Sequence, residues 1–268
     1  MNYSGMIKYL PAVLLFCSCT ESGLLLRERE RFAVHFSASG IGMEVTTRAS
    51  SPLSDNTTLR ILAFRRVGQS PNLQADEYMG EGTYRASLGN GSLTPVHSLL
   101  LRAGSYDFYA LTPETATASG GGGSGIPGGG GSTTAPPYTV SVGHGMDYAT
   151  SLTAGRTVDE SNPSVPLNDL VRRCTRLVFE LSPKAGNIKK VRVASAGLTN
   201  MTAAPVAAPL NAELPLAGVA QSDGLTIAGG SFSPPDKDLN TSAAAVVLPR
   251  MAGKFDFELD VSVSYTHL

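Results

Sequence analysis

Tryptophan is absent from the 268-residue chain, cysteine occurs three times, and charged residues make up only 16% of it. Long apolar runs are also lacking, since none after the N-terminus approaches the roughly 18 residues that a membrane-spanning helix needs. We therefore expect the body of the chain to be soluble and held at a membrane only through its front end. A net charge of −1 gives no basis for a nucleic-acid partner.

The front end has the character of a lipoprotein signal. One basic residue, Lys8, precedes an apolar run at positions 9–16, which is about half the length of a membrane span. The run leads into Cys17 and, after one small residue, Cys19, and lipoprotein processing needs a small residue before the lipidated cysteine. We expect residues 1–18 to be a signal peptide and Cys19 to carry the lipid. The alternative is an ordinary secretory signal whose cysteines are incidental.

Cysteine usage also limits how the mature protein is stabilised. Cleavage before Cys19 leaves one cysteine, Cys174, so a disulfide framework is excluded and stability must come from core burial. Cys174 lies at the start of a predicted strand. We interpret it as a structural or incidental thiol.

The chain contains many short segments in which apolar and polar residues alternate, and turn-forming residues separate these segments. Phe32, Val34 and Phe36 share one face of a predicted strand, and residues 59–64 predict a strand that is buried on both faces. No window keeps a helical apolar period beyond two turns. Many short strands without interleaved helices indicate an all-β sandwich architecture. Further predicted strands lie at 99–101, 106–111, 138–142, 177–181, 188–193 and 255–263.

A glycine-rich segment at 120–132 stands apart from this pattern. A phosphate-binding loop would need a helix behind it, whereas threonines and prolines follow here. We interpret the segment as a flexible loop inside a first β-sandwich domain at 19–165. The second β-sandwich domain is predicted at 166–268.

No constellation of residues predicts catalysis. The four histidines, His35, His97, His144 and His267, are too far apart in sequence for a metal-ligand motif. His144 lies between two glycines, but without a nucleophile motif it is interpreted as a loop histidine. We expect neither an enzyme nor a cofactor.

Arg48 lies in a small, polar segment after the first predicted strand. Such a backbone is accessible to a protease that cleaves after arginine, which would leave Ala49 as the new N-terminus. The alternative is an ordinary arginine in a surface turn. Chemistry alone favours that alternative.

The order of these features resembles the fimbrillin-like family, the lipoprotein precursors of fimbrial subunits and anchors in Gram-negative anaerobes. Each motif is weakly specific, but the ordered set covers most of the chain. The matching positions are Cys19 and residues 32–36, 45–49, 59–64, 103–110, 146–150, 165–167, 174–179 and 246–249.

The resemblance implies two tandem transthyretin-like β-sandwich domains and a structural fimbrial subunit or anchor lipoprotein at the outer membrane. It also implies that a protease cuts at Arg48 and expels the strand of Phe32, Val34 and Phe36. A strand of a sister or identical subunit then fills the groove. A member that keeps its N-terminal strand would be an anchor or terminator.

Two expectations remain beside this one. The rival function is a surface glycan-binding lipoprotein, for which Tyr78, Tyr84 and Tyr148 are the candidate stacking residues in a chain without tryptophan. At the other end, residues 264–268 resemble translated sequencing adapter. We interpret the second domain as truncated there.

Overall fold

The computed structural model describes residues 31–38, 41–42, 56–73, 75–87, 91–113, 118–119, 138–184, 188–251 and 253–265. Within these ranges the regular structure is β-strand, apart from a 3-10 turn at Gly229–Ser231, which confirms the predicted all-β fold. The strands, in chain order, are β1 (Phe32–Ala33), β2 (His35–Ala38), β3 (Ile41–Gly42), β4 (Thr58–Arg65), β5 (Glu77–Ala86), β6 (Leu93–His97), β7 (Leu100–Leu101), β8 (Gly104–Thr112), β9 (Ala118–Ser119), β10 (Thr139–Val142), β11 (Ala149–Val158), β12 (Ser164–Leu167), β13 (Leu170–Arg172), β14 (Thr175–Leu181), β15 (Ile188–Met201), β16 (Val206–Pro209), β17 (Asp223–Ala228), β18 (Thr241–Val247) and β19 (Asp256–Tyr265).

A seven-stranded sheet in the order β3-β13-β11-β8-β4-β5-β6 forms the centre of the first half. Its pairs are antiparallel except at one edge, where β3 runs parallel to β13. Strands β4 and β8 pair with each other over six residues at the middle of the sheet. The apolar sequences of β4 and β8 determine which faces of the sheet must be covered.

Both faces of β4 and β8 are apolar and buried. In β4, Leu59 and Ile61 enter one core and Leu62 and Phe64 enter the other, because successive side chains of a strand point to opposite faces. The two-faced burial predicted for residues 59–64 is confirmed. A sheet of this kind needs a layer on each side.

One layer comes from the N-terminal segment. Strands β1 and β2 lie between β7 and β12, and their apolar side chains complete the core that contains Leu59 and Phe108. The opposite layer comes from β10, which pairs antiparallel with β16. Val140 and Val142 of β10 are fully buried against the second face of the sheet.

A second, smaller sandwich follows. The pair β14-β18 faces the three-stranded sheet β17-β15-β19. Its core contains Phe179, Val193 and Ala196, and a neighbouring cluster contains Leu198 and Met201. Strand β15 is the longest of the strands described and pairs with both of its neighbours.

The predicted junction between residues 165 and 166 falls inside β12. Strand β16, from the later part of the chain, pairs with β10 and contributes Val206 and Ala208 to a core of the first half. By its contacts, Arg31–Leu268 is one compact unit. The division into two domains at this junction stays a prediction.

Asp107 interrupts the apolar sequence of β8 and is fully buried. Its carboxylate accepts hydrogen bonds from Nε and Nη2 of Arg66 and, at 2.6 Å, from the backbone N–H of Gly155. Gly155 has a φ of +62° at a bulge of β11, and a Cβ there would lie 2.9 Å from Nη1 of Arg66. The pairing is what makes the buried charge tolerable.

We expect Asp107→Asn to lower the free energy of unfolding by about 3 kcal/mol, because it removes the charge that Arg66 faces inside the protein. Urea unfolding would measure the loss. The matched control is Glu81→Gln, which breaks the exposed ion pair with Arg60 and should cost less than about 1 kcal/mol. Equal losses in the two variants would contradict the assignment.

Candidate strand-binding site

The N-terminal strand occupies a strand-shaped space between two backbone edges. Here the name N-terminal strand covers residues 32–38, and the strand-binding groove is the space that they fill. On one side, β1 pairs antiparallel with β7. On the other, β2 pairs parallel with β12 over four residues, from His35 opposite Ser164 to Ala38 opposite Leu167. The segment is therefore an internal strand rather than a covering loop.

Backbone hydrogen bonds hold both sides of the segment. The N–H of Val34 donates to the carbonyl of Leu99 at 3.0 Å, and the N–H of His35 donates to Pro163 at 2.9 Å. Further along, the N–H of Ala38 donates to Gly91 at 2.7 Å. Removal of the segment would leave these acceptors without their strand, which is the condition under which another strand can add.

Side-chain pockets fix which face of the strand points inward. Val34 and Phe36 are 1% and 3% exposed, whereas His35 between them is exposed. The Phe36 ring meets Tyr84 and Phe108 edge-on, with centroids 5.0 and 5.2 Å apart. Burial of each of the two apolar side chains contributes about 1.5–3 kcal/mol. The groove is lined by Tyr84, Leu93, Leu99, Leu101, Phe108, Val165 and Leu167.

A glycine permits the close packing of one groove wall. A Cβ on Gly82 would lie 2.8 Å from the carbonyl oxygen of His97 and 2.9 Å from the backbone nitrogen of Leu99. Such distances are shorter than van der Waals contact, so a side chain would push the Leu99 segment away from β5. Gly82 therefore sets the position of the wall that binds Val34.

The structure places only part of the sequence-predicted site. Phe32, Val34 and Phe36 lie together in the groove, with Phe32 half-buried. Cys19, Arg48 with Ala49, and the glycine-rich loop 120–132 lie outside the described residues. Strand β3 continues the segment as far as Gly42 by pairing parallel with β13, so β1, β2 and β3 all precede Arg48 in the chain.

His144 lies in the loop between β10 and β11, and its side chain is only 8% exposed. Its Nδ1 accepts the N–H of Leu248 at 3.2 Å, and its Nε2 lies 3.0 Å from the carbonyl oxygen of Thr202. This pattern makes Nε2 the protonated nitrogen. The ring thereby joins the β10–β11 loop to two segments of the second sandwich. No signal in the glycine-flanked sequence indicates these distant partners.

The tyrosines offered as sugar-stacking residues differ in exposure. Tyr84 and Tyr148 are fully buried, so the expectation that they stack on a glycan is wrong. Tyr78 is half-buried and packs against Phe64 and Tyr138 at centroid distances of 5.5 and 5.2 Å. Of these three tyrosines, Tyr78 alone keeps part of its ring exposed for stacking on a sugar.

Strand β19 carries an apolar row that is poorly covered. Phe257, Val261 and Val263 are 38–43% exposed, and Phe257 stacks on Phe179 of β14 with the ring centroids 5.0 Å apart. Among the described residues, β19 has one strand neighbour, β15, and β14 has one, β18. The second sandwich is consequently less enclosed than the first.

Metal and membrane sites are not evident in the part of the chain that the structure describes. There, no three histidine, cysteine, aspartate or glutamate side chains converge as a metal site would require. None of the helical structure in those ranges has the length and apolar character of a membrane span.

No protein-family model and no curated protein sequence matches the chain. Solved structures do. A putative cell adhesion protein from Bacteroides fragilis is 16% identical, with a TM-score of 0.54 over 87% of this chain and 84% of that one. A putative adhesin from Bacteroides ovatus is 17% identical, covers 86% and 73%, and has a TM-score of 0.47. The fimbrial anchor protein Mfa2 from Porphyromonas gingivalis is 11% identical, covers 87% and 78%, and has a TM-score of 0.40.

The Bacteroides fragilis protein shares the fold of this chain. That shared fold agrees with the all-β architecture that the resemblance found in the sequence implies. At such low identity the likeness carries the architecture and does not transfer individual residue roles.

We expect Phe36→Ala to lower the free energy of unfolding by about 3–5 kcal/mol, because it empties the space between Tyr84 and Phe108. His35→Ala, one residue away on the exposed face, should change it by no more than about 0.5 kcal/mol. Urea unfolding would compare the two, and hydrogen exchange of residues 31–38 would show whether the strand is released. Equal stability of both variants would contradict the assigned face.

Cys174 gives a test at alkaline pH. Burial raises the pKa of its thiol to about 11, and the nearby Asp147 adds to the rise, whereas the N–H···S contact with Tyr148 opposes it. The unfolded thiol ionises near its ordinary value, about 9, so the folded state binds the proton more tightly. Its contribution is complete below pH about 9 and is lost as the pH rises to about 11.

Replacement of this thiol should therefore flatten part of the alkaline decline in stability. In Cys174→Ala, unfolding by urea at pH 8, 9, 10 and 11 should show a smaller loss above pH 9 than the unchanged chain shows. Buried tyrosines such as Tyr109, whose pKa burial raises to about 12, continue to contribute in both proteins. Identical slopes in the two proteins would refute the assignment of the raised pKa.

Proposed function

We propose that this protein is a non-catalytic, fimbria-associated surface subunit or anchor that assembles by strand addition. The observation that carries the proposal is the N-terminal strand, which fills a groove between two unrelated backbone edges. The hydrogen bonds of the N-terminal strand use main-chain groups, so a strand of another subunit can form the same bonds. The alternate apolar side chains of that incoming strand then fill the pockets of Val34 and Phe36.

The partners in this proposal are identical or sister subunits. The fold shared with a putative cell adhesion protein supports a surface role. The N-terminal signal supports a precursor whose Cys19 carries a lipid in the outer membrane. An anchor keeps this segment, whereas a polymerising subunit sheds it at Arg48.

Treatment of the full chain with an arginine-specific protease should yield a new N-terminus at Ala49. Because Arg48 follows β3 in the chain, a single cut after Arg48 separates β1, β2 and β3 from the rest of the chain. N-terminal sequencing would locate the cut, and size-exclusion chromatography with electron microscopy would follow assembly of the product.

The control is Arg48→Lys, which keeps the charge but removes the cleavage site. It should stay uncut at this position and stay unassembled. Cleavage elsewhere, or a product cut at Ala49 that never associates with itself or with a sister subunit, would refute the polymerising role. An Arg48 that resists the protease in the folded chain would favour the anchor.

The glycan-binding alternative is weakened by the burial of Tyr84 and Tyr148. Titration of the intact monomer with host and dietary polysaccharides would test it. Saturable affinity that Tyr78→Ala abolishes would favour that function over strand addition.

A further inference from the structure

Tyr84 lies beneath the point where the N-terminal strand changes neighbours. Before Val34 the segment pairs with β7, and after Val34 it pairs with β12. Val34 itself belongs to neither ladder. A buried backbone group at such a crossing would cost about 1–3 kcal/mol if it had no partner.

The Tyr84 hydroxyl supplies that partner. It donates to the carbonyl oxygen of Val34 at 3.1 Å and accepts the N–H of Leu99 at 2.9 Å. The N–H of Val34 in turn donates to the carbonyl of Leu99 at 3.0 Å. These three hydrogen bonds form a closed ring that joins Val34 of the N-terminal strand, the backbone of Leu99 and the hydroxyl of Tyr84.

The same tyrosine also contacts the strand two residues later. Its ring meets the ring of Phe36 at 80° and a centroid distance of 5.0 Å. A shift of the strand by one residue would turn His35 toward the core, and a shift by two would bring Phe36 to the place of Val34. Tyr84 therefore recognises a carbonyl at one position and a large apolar side chain at a fixed distance from it.

The hydroxyl of Tyr84 is a hydrogen-bond donor at neutral pH. Burial raises its pKa further, against the smaller opposing effect of the Leu99 N–H. The group remains protonated at neutral pH. The donated bond depends only on the strand's main chain and so does not depend on which side chain occupies the position of Val34.

We propose that Tyr84 sets the register of whichever strand occupies the groove. This inference rests on the proposed function. The inference specifies the chemistry of the incoming strand. That strand runs parallel to β12 and places a small or β-branched apolar residue over Tyr84, with the N–H and carbonyl of that residue free to bond. Two positions later it places a large apolar residue. Tyr84 is a positioning residue in this role.

The test is a double-mutant cycle between the protein and a synthetic strand. The host is the full chain carrying Phe36→Ala, which holds its own strand weakly. The probe is a fluorescent peptide with the sequence of residues 31–38, with either the normal Val34 carbonyl or a thioamide sulfur, a poorer acceptor. Fluorescence anisotropy gives the affinity of each peptide for the host and for the host with Tyr84→Phe.

The thioamide should weaken binding to the tyrosine host by about three- to tenfold and should change binding to the Tyr84→Phe host by less than twofold. A peptide with its thioamide at Phe36 is the matched control. Its effect should be equal in both hosts, since that carbonyl does not bond to Tyr84.

The outcomes separate the inference from the proposed function. If no peptide binds a folded host, the groove does not exchange its strand, and the polymerising form of the proposed function fails. If peptides bind but the Val34 thioamide costs the same in both hosts, Tyr84 does not set the register. Should Tyr84→Phe not fold, 3-fluorotyrosine at position 84, a stronger donor, must enlarge the thioamide effect. An unchanged effect would overturn the inference.

Discussion

The two buried faces of β4 and β8 are the constraint on which the first half of the molecule depends. A strand that places Leu59 on one side and Leu62 on the other cannot lie at a surface, so the sheet requires a layer on each face. One of the two layers is the N-terminal strand. The burial of the N-terminal strand therefore follows from the sequence of β4, which begins 20 residues after that strand ends.

In the proposed function, the N-terminal strand is both essential to the core and replaceable by another strand. The core requires that the groove be filled by an extended chain with apolar residues at alternate positions. It does not require that the filling strand be covalently joined to the sheet. The strands β7 and β12 and the hydroxyl of Tyr84 form hydrogen bonds with main-chain groups of the N-terminal strand. Any strand without proline presents the same main-chain groups.

The sequence predicts local features of this fold and misses the distant ones. Apolar alternation correctly indicates the inward face of Val34 and Phe36, because a period of two reports directly on strand geometry. The parallel pairing of β2 with β12 joins segments that are well over a hundred residues apart, and no local pattern encodes that choice.

The candidate site shows the same division. An inward Phe36 is predictable, but the role of Tyr84 depends on three segments that meet only in the folded chain. The alternation of residues 78–86 does not distinguish a tyrosine that stacks on a sugar from one that bonds to a backbone carbonyl. His144 is a parallel case, since its burial depends on Thr202 and Leu248.

The covalent link at Arg48 also has a thermodynamic meaning in the proposed function. While the chain is intact, the N-terminal strand competes for the groove at an effective concentration of about millimolar or higher, because it is tethered to the sheet. An equally complementary strand from another subunit cannot displace it at ordinary protein concentrations. Cleavage removes the tether without altering a contact in the groove. The exchange then depends on relative affinity and concentration, so that a strand of better fit to the Tyr84 register can replace the original.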